Sequence, residues 1–151
     1  MSDKRVLMDA SGQSVVGMAK KLLSMKPTWI MYRGASFAQG TQVAVVKAHH
    51  SLTPSVSVYL NDGDKESDFK IRGNFRSKRF AITQKLGSGG QERPIAEVKK
   101  ESKFSSVTAF LTSAMTAADN YFIHIEPGVD AAFIVAIAVL VDELFHDEKT
   151  T

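Results

Sequence analysis

The sequence predicts a mainly β fold with one buried helix: an antiparallel β-barrel, complete or incomplete, around a hydrophobic C-terminal helix. Three observations lead there. Up to Pro127 the chain breaks into short alternating segments separated by turn residues, the pattern of strands rather than helices. From Ala131 to Val141 it then runs eleven residues without one polar side chain, between Asp130 and Asp142. A helix apolar on every side must be covered on every side, and a flat sheet would leave half of it wet. Ala131, Ala132, Ala136 and Ala138 keep it slim enough to be ringed by strands.

The elements follow in order. Arg5–Asp9 reads as a first strand, closed by a turn at Gly12. Ser14–Leu23 reads as a second, because Val15 and Val16 are β-branched and Gly17 would weaken a helix. Pro27 breaks it. Thr28–Gly34 and Gln42–Ala48 are the third and fourth, joined by a loop at ASFAQGT. In SVSVYLNDGD, Val56, Val58 and Leu60 alternate with Ser55, Ser57 and Tyr59, and NDGD supplies a turn. SDFKIRGNF puts Phe69 and Ile71 on one face and Asp68, Lys70 and Arg72 on the other. A hairpin around Gly73–Ser77 leads to Lys78–Leu86. GSGGQERP reads as a flexible loop, Ile95–Glu101 and Tyr121–Pro127 as strands. SSVTAFLTSAMTAADN, between those two, fits a strand and a short helical turn. Pro127 and Gly128 stop the last strand, and Asp130 suits a helix N-cap. Phe133, Ile134, Ile137 and Val141 are the expected central contacts of the helix.

The totals narrow the function classes. At 151 residues the chain fits one domain, 1–151. It is 44% hydrophobic and 23% charged, so it should fold rather than stay disordered. Its net charge of +3 permits an anionic partner without demanding one, and it lacks the dense basic stripe of a nucleic-acid binder. The chain has no cysteine, so disulfides and thiolate metal sites are excluded. Eleven apolar residues fall short of the roughly 20 that span a bilayer. No secretory h-region follows the charged start, so the expected location is cytoplasmic, with peripheral-membrane or nuclear placement open.

No catalytic, cofactor or metal residue can be named. Gly12 and Gly17 have the separation of a phosphate loop, but Met18 and Ala19 stand where its Lys and Ser/Thr belong. GSGG lacks the spacing of a dinucleotide site, and GASFA lacks the second glycine of a nucleophile elbow. His49 and His50, being adjacent, should point to opposite faces of an extended chain. Asp142 and His146 share a helix face and read as solvated charges. His124 reads as structural. The more suggestive group is Lys70, Arg72, Arg76, Lys78 and Arg79, strand and turn cations that could meet on one surface and take a phosphorylated headgroup. The alternative is a solvated outer face.

Three blocks resemble a known family. RVLMDASGQSVVGMAKKLLSMKPTWIMYRG, SDFKIRGNF and especially IEPGVDAAFIVAIAVLVDEL are similar, in order and spacing, to conserved stretches of the plant LURP-one-related proteins. The resemblance covers nearly the whole chain. It implies a tubby-like β-barrel around a central C-terminal helix, related to tubby proteins and phospholipid scramblases. It implies a non-enzymatic protein linked to plant defence or stress signalling, whose partner is a protein or an anionic phospholipid. By analogy with tubby proteins it implies a membrane-tethered regulator. It also implies that the chain begins after the family's first strands. The barrel would then be short of strands, leaving apolar surface and open edges that suit an interaction scaffold or mark a nonfunctional fragment.

Overall fold

In the computed structural model, which describes residues 3–100 and 121–146, nine strands run in chain order within one antiparallel sheet. They are β1 (Lys4–Met8), β2 (Ser14–Lys20), β3 (Thr28–Arg33), β4 (Gln42–His49), β5 (Ser55–Tyr59), β6 (Phe69–Asn74), β7 (Arg79–Leu86), β8 (Gln91–Lys100) and β9 (Tyr121–Ile125). A short 3-10 turn at Gln39–Thr41 precedes β4, and one helix, α1 (Ala131–His146), follows β9. The expected segment SSVTAFLTSAMTAADN lies outside the described residues.

The period-2 alternation sorts side chains as anticipated. Met18, Met31, Val46, Val56, Ile71 and Ile82 are fully buried on the inner face. The helix touches β2, β4 and β9. In a flat sheet β2 and β9 would lie about 34 Å apart at roughly 4.8 Å per spacing, yet a helix is only about 10 Å across. The sheet therefore curls around α1. It does not close: β1 pairs only with β2 and β9 only with β8 among the described strands. The barrel is the incomplete one.

Openness corrects one expectation. Ile134, Ala136, Ile137, Leu140, Val141, Leu144 and Phe145 are buried, but Phe133, Val135, Ala138 and Val139 are only half-buried and Ala131 is exposed. An apolar helix was expected to be covered all round. Here one stripe stays partly open, and within it Val135, Ala138 and Val139 face an apolar cavity of about 270 Å³, lined on the sheet side partly by Phe80, Val98 and Ile123. Of the four expected central contacts, Ile134, Ile137 and Val141 are enclosed. Phe133 packs its ring 5.2 Å from that of Phe69 while keeping part of its surface open. At the far end Phe145 stacks on Phe75, with ring centroids 4.3 Å apart. The Asp130 carboxylate accepts the Phe133 amide at 3.2 Å, the N-cap read from the sequence.

Two boundaries differ. β8 begins at Gln91, so half of the GSGGQERP loop is strand. Pro94 is tolerated because β9 pairs only from Ala96 onward, leaving Pro94 with β7 on one side alone, beside a register shift. β2 ends at Lys20, so Leu22 and Leu23 belong to the turn. Gly17 sits mid-strand for lack of room: a Cβ there would lie 2.6 Å from the Gly34 carbonyl oxygen and against the Phe37 ring.

Candidate anion-binding face

The outer face of the central strands is a polar ladder. Antiparallel register sets Thr28, Lys47, Ser57, Lys70 and Thr83 opposite one another across β3 to β7. The next row sets His49, Ser55, Arg72 and Ala81 together. Each is the outward partner of a buried apolar neighbour, so one alternation places both core and ladder. Ser57 is nevertheless fully buried, roofed by the long side chains around it.

Hydrogen bonds link the ladder. Lys26 Nζ lies 3.1 Å from His49 Nδ1, His49 Nε2 lies 3.0 Å from Ser57 Oγ, and Lys70 Nζ donates to the same Oγ at 3.0 Å. A lysine ammonium has only donors, so His49 Nδ1 is the acceptor and Nε2 carries the proton it gives Ser57. Burial holds the His49 pKa below its usual value, helped by the positive charges of Lys26, Lys70 and Lys47. Ser57 and His49 thus have the separation of a nucleophile and its base, but the facing nitrogen is already protonated. Lys47 extends over the Tyr59 ring, 5.1 Å from its centroid. Among the described residues no carboxylate lies within 4.0 Å of the ammonium groups of Lys26, Lys47 or Lys70.

The five cations singled out by sequence do not all share this surface. Lys70 and Arg72 do, and Arg79, opposite Asn74, is the diagonal neighbour of Arg72. Arg72 is committed to Glu92 through a two-pronged pair at 2.7 and 3.2 Å, which raises the Arg72 pKa and lowers that of Glu92. Arg76 is exposed on the β6–β7 turn. Lys78 turns the other way and pairs with Asp142 of α1. Sequence reasoning missed Lys47, and it set Lys26 in a separate cluster with Lys20 and Lys21 and considered His49 only as a metal ligand, so it did not join them to Lys70. The outward positions of β4 signalled Lys47 and His49. Nothing local placed Lys26 beside Lys70, because it arrives through a turn.

The turns sort charge by end. Residues 21–27, 50–54 and 75–78 lie at one end of the sheet with Lys21, Lys26 and Arg76, while the acids of α1 there, Asp142 and Glu143, are paired with Lys78 and Arg5. The opposite end carries Asp9, Asp62, Asp64, Glu66, Asp68 and Asp130 against Arg33, Lys65 and Lys85. His49 and His50 do face opposite ways: His50 approaches Phe145 at 5.3 Å on the helix side. His124 is exposed, 3.4 Å from Glu126. Among the described residues there is no cluster of three or more potential metal ligands, and no helix is long and apolar enough to cross a membrane.

Residues 1–142 match the family model described as LURP-one-related. The chain is similar to two Arabidopsis thaliana proteins, LURP-one-related 15, at 29% identity, and LURP-one-related 10, at 24%, over 99% of its own length in both cases. It spans 65% of the first and 74% of the second. A crystal structure of an Arabidopsis thaliana protein matches 95% of this chain and 71% of its own, with 26% identity and a TM-score of 0.67.

Proposed function

We propose, from the premise that this chain belongs to the LURP-one-related family, that it is a non-enzymatic module that binds anionic phospholipid at a membrane surface. The observation behind this reading is the set of three ammonium groups, Lys26, Lys47 and Lys70, ranged around His49 with no carboxylate within 4.0 Å among the described residues, Glu92 near Lys70 being held by Arg72. Like charges held together repel, and a phosphorylated headgroup relieves that repulsion while accepting several charge-assisted hydrogen bonds. Arg76 and Arg79 flank the site. Arg72 and Lys78 reach a headgroup only by leaving Glu92 and Asp142, so they contribute less. The protonated state of His49 Nε2 supports a binding rather than a catalytic role, since Ser57 has no base to activate it. The cellular setting implied by the family resemblance is regulation in plant defence or stress, on the cytoplasmic side where anionic lipids concentrate.

Vesicle sedimentation tests this. Binding should need phosphoinositide or phosphatidylserine and weaken steeply as salt shortens the screening length. Each cation near the surface contributes about 1 kcal/mol, so Lys26→Glu, Lys47→Glu and Lys70→Glu together should abolish sedimentation. Retention by that triple variant equal to wild type, with its fold intact by circular dichroism, would refute the assignment.

The edges of β1 and β9, unpaired among the described strands, favour a second reading, an interaction scaffold that adds a partner strand. Its signature is a chain that is dimeric by light scattering and does not sediment with vesicles.

A further inference from the structure

The turn between β2 and β3 is built inside out. Residues 21–27 are exposed throughout, and Leu23 and Met25 are fully exposed, with Leu22 more than half so. Hydroxyl groups bond the backbone of this turn. Ser24 Oγ donates to the Lys26 carbonyl at 2.7 Å and lies 2.9 Å from Thr28 Oγ1, which also donates to that carbonyl at 2.8 Å. The Lys21 amide donates to the Thr28 carbonyl at 2.8 Å. Leu23 has φ of +50°, a left-handed conformation that a branched side chain rarely adopts. An ordinary surface turn places Gly, Asn, Asp or Ser at such positions. Here the backbone is pinned by its own hydroxyl groups in a shape that turns three large apolar side chains to solvent.

A second apolar side chain stands beside it. The Ala48 amide donates to the Pro27 carbonyl at 3.0 Å, and Lys26 reaches His49, so the β2–β3 and β4–β5 turns lie side by side. Leu52, on the β4–β5 turn, is fully exposed. Lys21, Lys26 and Arg76 flank these apolar tips, at the end of the sheet opposite the acidic turns.

We infer that Leu22, Leu23, Met25 and Leu52 form a membrane-insertion element that enters the headgroup–acyl boundary of an anionic bilayer while Lys21, Lys26 and Arg76 engage lipid phosphates. This rests on the anionic-phospholipid reading above and gives it an orientation: the sheet stands end-on to the membrane. The charge arrangement selects a bilayer over a protein partner. The tips lie at the end of the sheet where Lys20, Lys21, Lys26 and Arg76 outnumber the neighbouring Asp3 and the Arg5-paired Glu143, and the more acidic end is turned away from the anionic surface. Insertion predicts binding with two parts, one electrostatic and screened by salt, one hydrophobic and resistant to it.

The chain has no cysteine, so single-site labelling is clean. A polarity-sensitive fluorophore on Leu23→Cys should shift to the blue with phosphatidylserine vesicles, while the same label on Asp64→Cys, at the opposite end, should not move. The triple variant Leu22→Ser, Leu23→Asn, Met25→Ser should lose at least roughly tenfold of the salt-resistant binding. Asn suits the left-handed position, so the turn should keep its shape. If wild type and triple variant bind equally and the label at position 23 stays unshifted, insertion is overturned and electrostatic binding stands. If wild type ignores anionic vesicles altogether, both readings fall.

Discussion

Val139→Ala and Val141→Ala make the same chemical change on the same helix, and the curled, unclosed sheet predicts different costs. Val141 is buried at 2% exposure and Val139 is only half-buried, although both border the apolar cavity. Each substitution deletes two methyl groups at about 0.8 kcal/mol apiece when fully buried, or about 1.6 kcal/mol of transfer energy. At Val141 a cavity term brings the loss to roughly 2–3 kcal/mol. At Val139 part of the surface is already wet, so less area leaves the core and about 0.5–1 kcal/mol is expected. The gain in helix propensity from Val to Ala is common to both and cancels. For a chain of 151 residues, each kcal/mol moves Tm by about 3 °C. Val141→Ala should therefore melt about 6–9 °C below wild type and Val139→Ala about 2–3 °C below. Differential scanning calorimetry, with urea titration to confirm an unchanged m-value, measures both. Equal losses would mean that the helix is enclosed all round, and the argument from an open edge would fail.

Three other outcomes are expected. Gly73→Ala should destabilise by about 2–3 kcal/mol or prevent folding, because the new Cβ would lie 2.3 Å from the Arg79 carbonyl oxygen and 2.6 Å from Phe80 Cα; chemical denaturation reads this, and a neutral result would mean that β6 and β7 do not approach so closely. His49 has a depressed pKa, so its folded form binds fewer protons than the unfolded chain, and stability should fall as pH drops below about 6.5; His49→Gln should remove that part of the acid dependence in melts between neutral and mildly acidic pH. The Arg72–Glu92 pair is half-exposed, so Arg72→Ala should cost no more than about 1 kcal/mol despite its two-pronged geometry, and less in high salt.

Legibility followed the range of the forces involved. Strand identity was readable because alternation is local: Val56 and Val58 go inward and Ser57 outward whatever surrounds them. The N-cap at Asp130 needed only its own helix. The enclosure of Phe133 could not be read, because it depends on whether β1 and β9 meet. Pro94 misled because a proline breaks a strand only where its missing amide is needed, and that depends on where β9 begins. The site split along the same line. Lys70 and Arg72 share a strand face, so their proximity was visible, while Lys78 was drawn away by Asp142, 64 residues distant. Lys26 entered through a turn packed against β4.

Composition and period alone determined a mainly β chain with an apolar C-terminal helix, its N-cap, and the residues facing its core. Those follow from burial and backbone geometry within a few positions, which every folded arrangement of the chain must respect. Tertiary structure decided three things: that the described strands curl without closing, that Lys26, Lys47 and Lys70 gather around His49, and that the apolar residues after β2 face water instead of the core. Each depends on register between strands or on which end of the sheet a turn occupies. Leu22 and Leu23 show the limit: hydrophobic side chains read as strand became an exposed tip because the Ser24 and Thr28 hydroxyls hold the turn's backbone while Pro27 leads into β3.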